Sequence, residues 1–350
     1  MGDRTYRVGL VGLRGITSRG FGEPPPPFRT ALEHSHAAGL SISDRFDVVA
    51  VCDLVPDLLD EFGRTWGDRW PDVGHYTDFS EMLRESNLDI LTIATGDHTH
   101  AMLGIEAAEA GVKGIFCVRP LATSLEDADN LIQACEDNGV VIAVDHSRRY
   151  MPMWIQVREE IRRGAIGKLT TIVGTLGGPR AMMFRNGTHM IDTICMYAES
   201  EPTQVWARLE EGFEDWDSYK GDGGKLPEND PGAMGFIQFE NGVRALYCGM
   251  KETQGMFSLQ LSGPDGQLYV TADSATVFQS GADRQNGTRR RIVPGSYASE
   301  DLAVAYEELA DLMENGGEGV SMAREARKTV KVLTGFLASQ QAGSALIDLP

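Results

Sequence analysis

The first 145 residues constrain the fold most, because short β-branched runs alternate there with helical stretches. The strand candidates are Tyr6–Val11, Val48–Cys52, Asp89–Ala94, Gly114–Val118 and Val140–Val144. Each carries apolar residues on both faces, as a strand covered by helices on both sides should. The helices between them have readable ends. Ser80 is expected to open one, and Ser124 another, with Asp127 three residues on as an acidic variant of the capping box. Gly111 and Gly139 stand where a left-handed residue would stop a helix. Such alternation predicts a parallel, doubly wound α/β sheet, assigned to residues 1–147.

After residue 150 the rhythm changes. A helix over Trp154–Arg163 leads to strand-like runs at Leu169–Leu176, Gln204–Leu209, Met234–Phe239, Val243–Cys248, Phe257–Leu261 and Gln267–Thr271. Asn241-Gly242 is a strong hairpin signal, and Pro264-Asp265-Gly266 marks a second tight turn. Short connections predict a largely antiparallel sheet in an α+β domain over residues 148–350. Helices are expected at Glu300–Met313 and Ser321–Gln341. Residues 17–30, with prolines at Pro24 to Pro27, and residues 211–232, rich in Gly, Asp and Pro, are expected loops.

Composition narrows the function classes. A net charge of −19 over 350 residues argues against nucleic acid, whose binding demands a basic stripe. No apolar run reaches the roughly 18 residues of a membrane helix. The N-terminus lacks a signal-peptide profile, so a cytoplasmic location is expected. The five cysteines are scattered without a Cys-x-x-Cys pair, suggesting small hydrophobes rather than a disulfide framework or zinc knuckle. No metal site is expected, although Asp97, His98 and His100 are close in sequence.

Gly9-Leu-Val-Gly12-Leu-Arg-Gly15-Ile16 lies where the first strand ends and a helix should begin. Glycines there let the backbone approach a pyrophosphate, and a helix N-terminus offers it unpaired N–H groups. Arg14 stands where a second glycine is usual. Asp53 directly follows the second strand, where a carboxylate can accept from adenosine ribose hydroxyls and repel a 2′-phosphate. Its distance from Gly12 is about twice the usual spacing of about 20 residues. The proline-containing stretch accounts for the excess as an insertion. These features predict a Rossmann domain that binds NAD rather than NADP through Gly12, Arg14, Gly15, Ile16 and Asp53.

From Thr95 onward the chain resembles the Gfo/Idh/MocA family of glucose-fructose oxidoreductase and inositol dehydrogenase. The resemblance rests on Thr95-Gly-Asp-His-Thr-His100, Ala107-Ala-Glu-Ala-Gly111 and Cys117-Val-Arg-Pro-Leu-Ala122. It continues through Asp145-His-Ser-Arg-Arg-Tyr150, Gly187-Thr-His-Met-Ile-Asp192, Phe239-Glu-Asn-Gly242 and Leu349-Pro350. It implies a Rossmann domain, then an α+β domain with a large open sheet, and an NAD(P)-dependent sugar or cyclitol dehydrogenase. Thr95, His100 and Arg119 would then lie by the cofactor. Arg119 replaces the family's Glu-Lys-Pro lysine, and Arg185 replaces an aspartate often found four residues before the motif histidine. Arginine can polarise an oxygen but cannot exchange its proton.

His189 is the expected base and Arg119 the expected stabiliser of a developing oxyanion. Asp192 would orient the ring, and Tyr150 is a fallback proton carrier. His98, Arg148, Arg149, Arg185 and Asn186 are expected to line the substrate site. Arginines 119, 148, 149, 180 and 185 suggest a substrate bearing a carboxylate or phosphate. Two alternatives accompany a polyol dehydrogenase: NAD-assisted oxidation of a glycoside at C3 with elimination, and a catalytically silent NAD-binding regulator. The second domain's strands are apolar on both faces, as in Leu169–Val173 and Val205–Leu209, which predicts a homodimer or homotetramer through the sheet.

Overall fold

In a computed structural model, which describes residues 4–20, 35–281, 286–292 and 301–350, the chain forms two units. One comprises Met1–Ala122, Glu126–Tyr150 and Tyr297–Arg324; the other comprises Thr123–Leu125, Met151–Ser296 and Glu325–Pro350.

The first unit is built on a six-stranded sheet. Its strands are β1 (Tyr6–Val11), β2 (Phe46–Cys52), β3 (Gly74–Tyr76), β4 (Ile90–Ile93), β5 (Gly114–Val118) and β6 (Val141–Asp145). All pairs are parallel, in the order β3-β2-β1-β4-β5-β6. The strand order reverses between β1 and β4, the switch point outside whose carboxyl ends such sheets bind ligands. The short edge strand β3 carries only Gly-His-Tyr and had no apolar signature by which to be found.

Helices α1 (His36–Ser41), α2 (Pro56–Trp66), α3 (Phe79–Ser86), α4 (His100–Glu109) and α5 (Leu125–Asp137) follow the strands. Helix α2 starts with Pro56 in its first turn and buries Leu59, Phe62 and Trp66 along one face. Gly111 and Gly139 have φ of 93° and 65°, as their helix-stopping positions require. The start of α3 differs from expectation. Asp78 is its cap, accepting from Glu81 N at 2.7 Å, while Ser80 lies inside the first turn and bonds Glu106. A carboxylate one residue before the helix outcompetes a hydroxyl already within it.

The helix expected at Gly15 also begins elsewhere. Residues 14–18 form a turn, and α1 opens at His36, where Ser35 Oγ accepts from Ala38 N at 3.1 Å. Yet His36 N donates to Ile16 O at 2.8 Å and Ala37 N to Thr17 O at 2.9 Å. The turn at residues 14–18 and the start of α1 are thus joined by backbone hydrogen bonds. Pro24–Pro27 lie outside the described residues.

Helix α8 (Asp301–Asn315) packs on α1, β5 and β6, although the strands of the other unit precede it in sequence. Its Tyr306 hydroxyl meets His36 Nδ1 at 3.0 Å and Thr92 Oγ1 at 2.6 Å.

The second unit contains β7 (Thr171–Gly177), β8 (Pro202–Leu209), β9 (Ala233–Phe239), β10 (Arg244–Met250), β11 (Met256–Gly263), β12 (Gly266–Thr271), β13 (Ala275–Gln279), β14 (Thr288–Ile292) and β15 (Ile347–Asp348). They form one sheet in the order β14-β13-β12-β11-β7-β10-β9-β8-β15. It is antiparallel except for β7 with β10. The expected hairpin at Gly242, φ 89°, joins β9 to β10. Helices α6 (Pro152–Arg162), α7 (Gly187–Ala198) and α9 (Ala323–Gln341) belong to this unit's core, α9 beginning at the boundary. Gly174 on β7 sits under Met190 and Ile194 of α7, and Gly235 on β9 sits under Phe336 of α9. The opposite face carries Met234 and Leu246, 54% and 50% exposed, with Met256, Tyr269 and Phe278.

Candidate functional site

In the first unit the candidate groups gather at the carboxyl ends of the parallel strands. Gly12 has φ of 81°, and a Cβ there would lie 2.6 Å from Ala94 O and 2.9 Å from Thr95 N. Both the backbone conformation and the packing therefore require glycine. Gly15 also has positive φ, at 55°, but its missing side chain would project into open space. Asp53 grips this turn: Oδ2 accepts from Leu13 N at 2.8 Å and Oδ1 from Val55 N at 2.9 Å. Each carboxylate oxygen retains acceptor capacity after these bonds. Arg14 is exposed and Ile16 half-buried. Sequence reasoning passed over Leu54, which is 86% exposed beside Asp53. An apolar residue directly after the strand-end acid was the available signal.

The loop after β4 is braced from within. Thr99 Oγ1 donates to Gly96 O at 2.8 Å, so Thr95 supplies the proton for the 2.6 Å bond between the two threonine hydroxyls. His98 is exposed, whereas His100 is buried. The His100 Nδ1–H donates to Pro120 O at 2.7 Å, tying this loop to the one after β5. Burial lowers the His100 pKa, and the nearby Arg119 charge acts in the same direction. Burial likewise pushes His36 down to about 4, with Arg119 adding to the depression and Asp145 opposing it. Arg119, half-buried, thus sits among two imidazoles held neutral.

The segment after β6 is mostly interior. Arg149 is buried and its Nη1 donates to Val320 O at 3.0 Å; Arg148 is half-buried. Tyr150 is buried, and burial together with the Glu308 and Asp145 charges raises its pKa well above the usual phenol value. It keeps its proton at neutral pH. Cys52 and Cys135 are raised by burial to about 11 and about 12, so neither is a thiolate at neutral pH.

In the second unit the candidates cluster where α7 begins. Asn186 is the residue before the helix and makes no side-chain capping bond. Arg185 precedes it, half-buried, and His189 lies in the first turn, also half-buried. Asp192 is buried one turn further on. Thr188 Oγ1 donates to Arg185 O at 2.9 Å, and Thr193 Oγ1 to His189 O at 2.6 Å. Gly187 allows the helix to start here: a Cβ would stand 2.7 Å from the Tyr247 hydroxyl and 3.0 Å from Met182 O. Arg180 is exposed.

Residues 29–146 match the family model described as an oxidoreductase family with an NAD-binding Rossmann fold. Over those residues the chain is similar to the Gfo/Idh/MocA family. A D-apiose dehydrogenase of Paraburkholderia graminis is 37% identical over 125 residues, covering 35% of this chain and 32% of the relative. An inositol 2-dehydrogenase of Acidothermus cellulolyticus is 30% identical over 167 residues, covering 47% of this chain and 43% of the relative. These alignments span between a third and a half of the curated relatives. A solved levoglucosan dehydrogenase, in complex with NADH and L-sorbose, shares the fold at a TM-score of 0.78, with 18% identity over 99% of each chain.

Proposed function

We propose that this chain is an NAD-dependent dehydrogenase of the Gfo/Idh/MocA type that oxidises a secondary hydroxyl of a sugar, sugar acid or cyclitol-like polyol. The observation that carries the reading is the pairing of Gly12 with Asp53 at the switch point. A turn closed to any side chain is fastened to a carboxylate on the next strand. The exposed backbone at Gly15 suits a pyrophosphate, with Arg14 and Ile16 on either side of it. The remaining acceptor capacity of Asp53 suits two ribose hydroxyls, and its charge disfavours a 2′-phosphate. Leu54 is assigned as apolar cover for the adenine. Thr95 and His100 shape the loop on the far side of the turn.

Bound NAD would supply the hydride acceptor. In this reading the chain's own groups manage the oxygen. His189 receives the hydroxyl proton, as a neutral imidazole can near pH 7. Arg119 stays charged and stabilises the alkoxide that forms as the proton leaves. Asp192 orients the imidazole, while His98 and Arg148 contribute polar groups for the remaining hydroxyls. The relatives named for D-apiose, inositol and levoglucosan are dehydrogenases of hydroxyl-rich rings, which supports a substrate of that kind.

Arg119 also favours a second reading, a dinucleotide-binding regulator without turnover, because the proton-exchanging lysine of the family is absent. Titration with NAD and NADH, followed by NADH formation on a panel of cyclitols, aldoses and uronates, separates the two. Binding with turnover is expected. Binding without turnover on the whole panel favours the regulator, and no dinucleotide affinity refutes both.

A further inference from the structure

Ahead of α7 the chain holds a guanidinium that it does not neutralise. Two other half-buried arginines have acidic partners: Arg45 pairs with Glu307 and Asp311, and Arg158 with Glu199. Among the described residues no carboxylate is paired with Arg185, and its Nε is shut off from water without a hydrogen-bond partner. In a chain with 51 acidic and 32 basic side chains, a shielded guanidinium without a carboxylate needs a reason.

Two acids of the facing loop, Asp222 and Asp230, are bonded elsewhere. Asp222 accepts from Lys225 N at 2.8 Å, Leu226 N at 3.1 Å and Asn229 Nδ2 at 2.9 Å. Asp230, buried, accepts from Phe184 N at 3.1 and 3.2 Å. The same loop fixes the arginine stem. A Cβ at Gly224 would lie 2.6 Å from Arg185 Cδ and 3.3 Å from Nε and Nη1, so glycine leaves the guanidinium its position.

The neighbouring groups are also donors. Asn186 leaves the start of α7 uncapped by its side chain, and the first turn contains no acidic residue. Helix N–H groups and their dipole then favour an anion at this end. Beneath the turn lies Tyr247, 1% exposed, whose hydroxyl has no partner and reaches to 2.7 Å from the space where a Gly187 side chain would be. Burial, with Asp230 close by, raises its pKa, so it remains a hydroxyl donor.

We infer that Arg185, Asn186 and the first turn of α7 form a subsite for a substrate carboxylate, which makes a sugar acid the substrate class of this enzyme. The inference rests on the dehydrogenase reading above and selects among the substrates that reading allows. A planar carboxylate matches the guanidinium fork in shape and in unit charge.

Calorimetry with two acid–neutral pairs, D-glucuronate with D-glucose and D-galacturonate with D-galactose, tests it on the full chain with and without NADH. At least one acid should bind about 10- to 100-fold more tightly than its neutral partner. Arg185→Gln should bring that ratio close to one while NADH affinity stays at the wild-type value, which shows that the variant is folded. Gly224→Ala should lower the ratio with the charge retained, by displacing the stem. Equal or tighter binding of the neutral sugars, binding by neither acid, or tighter binding of D-glucose 6-phosphate than of D-glucuronate would each overturn the carboxylate subsite. Loss of NADH binding alone would instead remove the dehydrogenase reading and leave the sugar ratio to be judged by itself.

Discussion

His36 shows how one buried residue imposes a pH dependence on the first unit. Its imidazole is neutral in the fold down to about pH 4, whereas an unfolded histidine takes up a proton near pH 6.5. The unfolded state therefore binds more protons between those values, and stability falls as pH drops through them. The shift corresponds to about 3 kcal/mol, fully present above pH 6.5 and lost by about pH 4. Denaturant melts from pH 7 to 4 should show this loss, with His100 acting in the same direction, and His36→Gln should flatten part of the slope. An unchanged slope would contradict the assignment. Asp53 makes a separate prediction. Replacing it with Ala removes charge-assisted bonds worth about 1.5–3 kcal/mol each, so NAD affinity should fall at least about 10-fold while discrimination against NADP narrows. Fluorescence titration with both dinucleotides measures this.

Single elements show where local chemistry decides the outcome. Helix α3 begins where Asp78 satisfies Glu81 N, so Asp78→Ala should destabilise the first unit by about 1 kcal/mol while Ser80→Ala should leave that cap intact. Thermal melts of the two variants compare them directly. Gly12→Ala meets two obstacles at once, a positive φ and the Ala94 carbonyl, so loss of dinucleotide binding and a lower melting temperature are both expected. The turn from Gly12 to Thr17 also explains why the glycine motif looks irregular. Ile16 O and Thr17 O are completed by His36 N and Ala37 N, donors from twenty residues downstream. Local pattern cannot reveal that one helical turn is finished by a distant piece of chain.

For the whole molecule, the uncovered face of the nine-stranded sheet is the dominant surface feature. Register places Trp206, Phe236, Leu246 and Val173 side by side across four adjacent strands, with Met234 and Cys248 in the next row. An apolar sheet face of this kind in a chain of charge −19 is expected to bury itself against a second copy. Sedimentation at micromolar concentration should give a dimer or tetramer, and Leu246→Lys with Met234→Lys should give a monomer. A wild-type monomer would refute the proposal.

Apolar runs and turn residues were enough to reveal the layered α/β unit, the antiparallel sheet, the hairpin at Asn241-Gly242 and the glycine–carboxylate pair, because each depends on neighbours a few residues apart. Tertiary structure alone decided that α8 returns to the first unit through Tyr306 and His36, that β10 runs parallel to β7, and that Tyr150 is sealed inside. It also left Arg185 without a paired carboxylate among the described residues, while Asp222 and Asp230 of the facing loop are bonded to backbone N–H groups. Periodicity records which side of an element faces inward, but the partner met there depends on contacts between segments far apart in the chain.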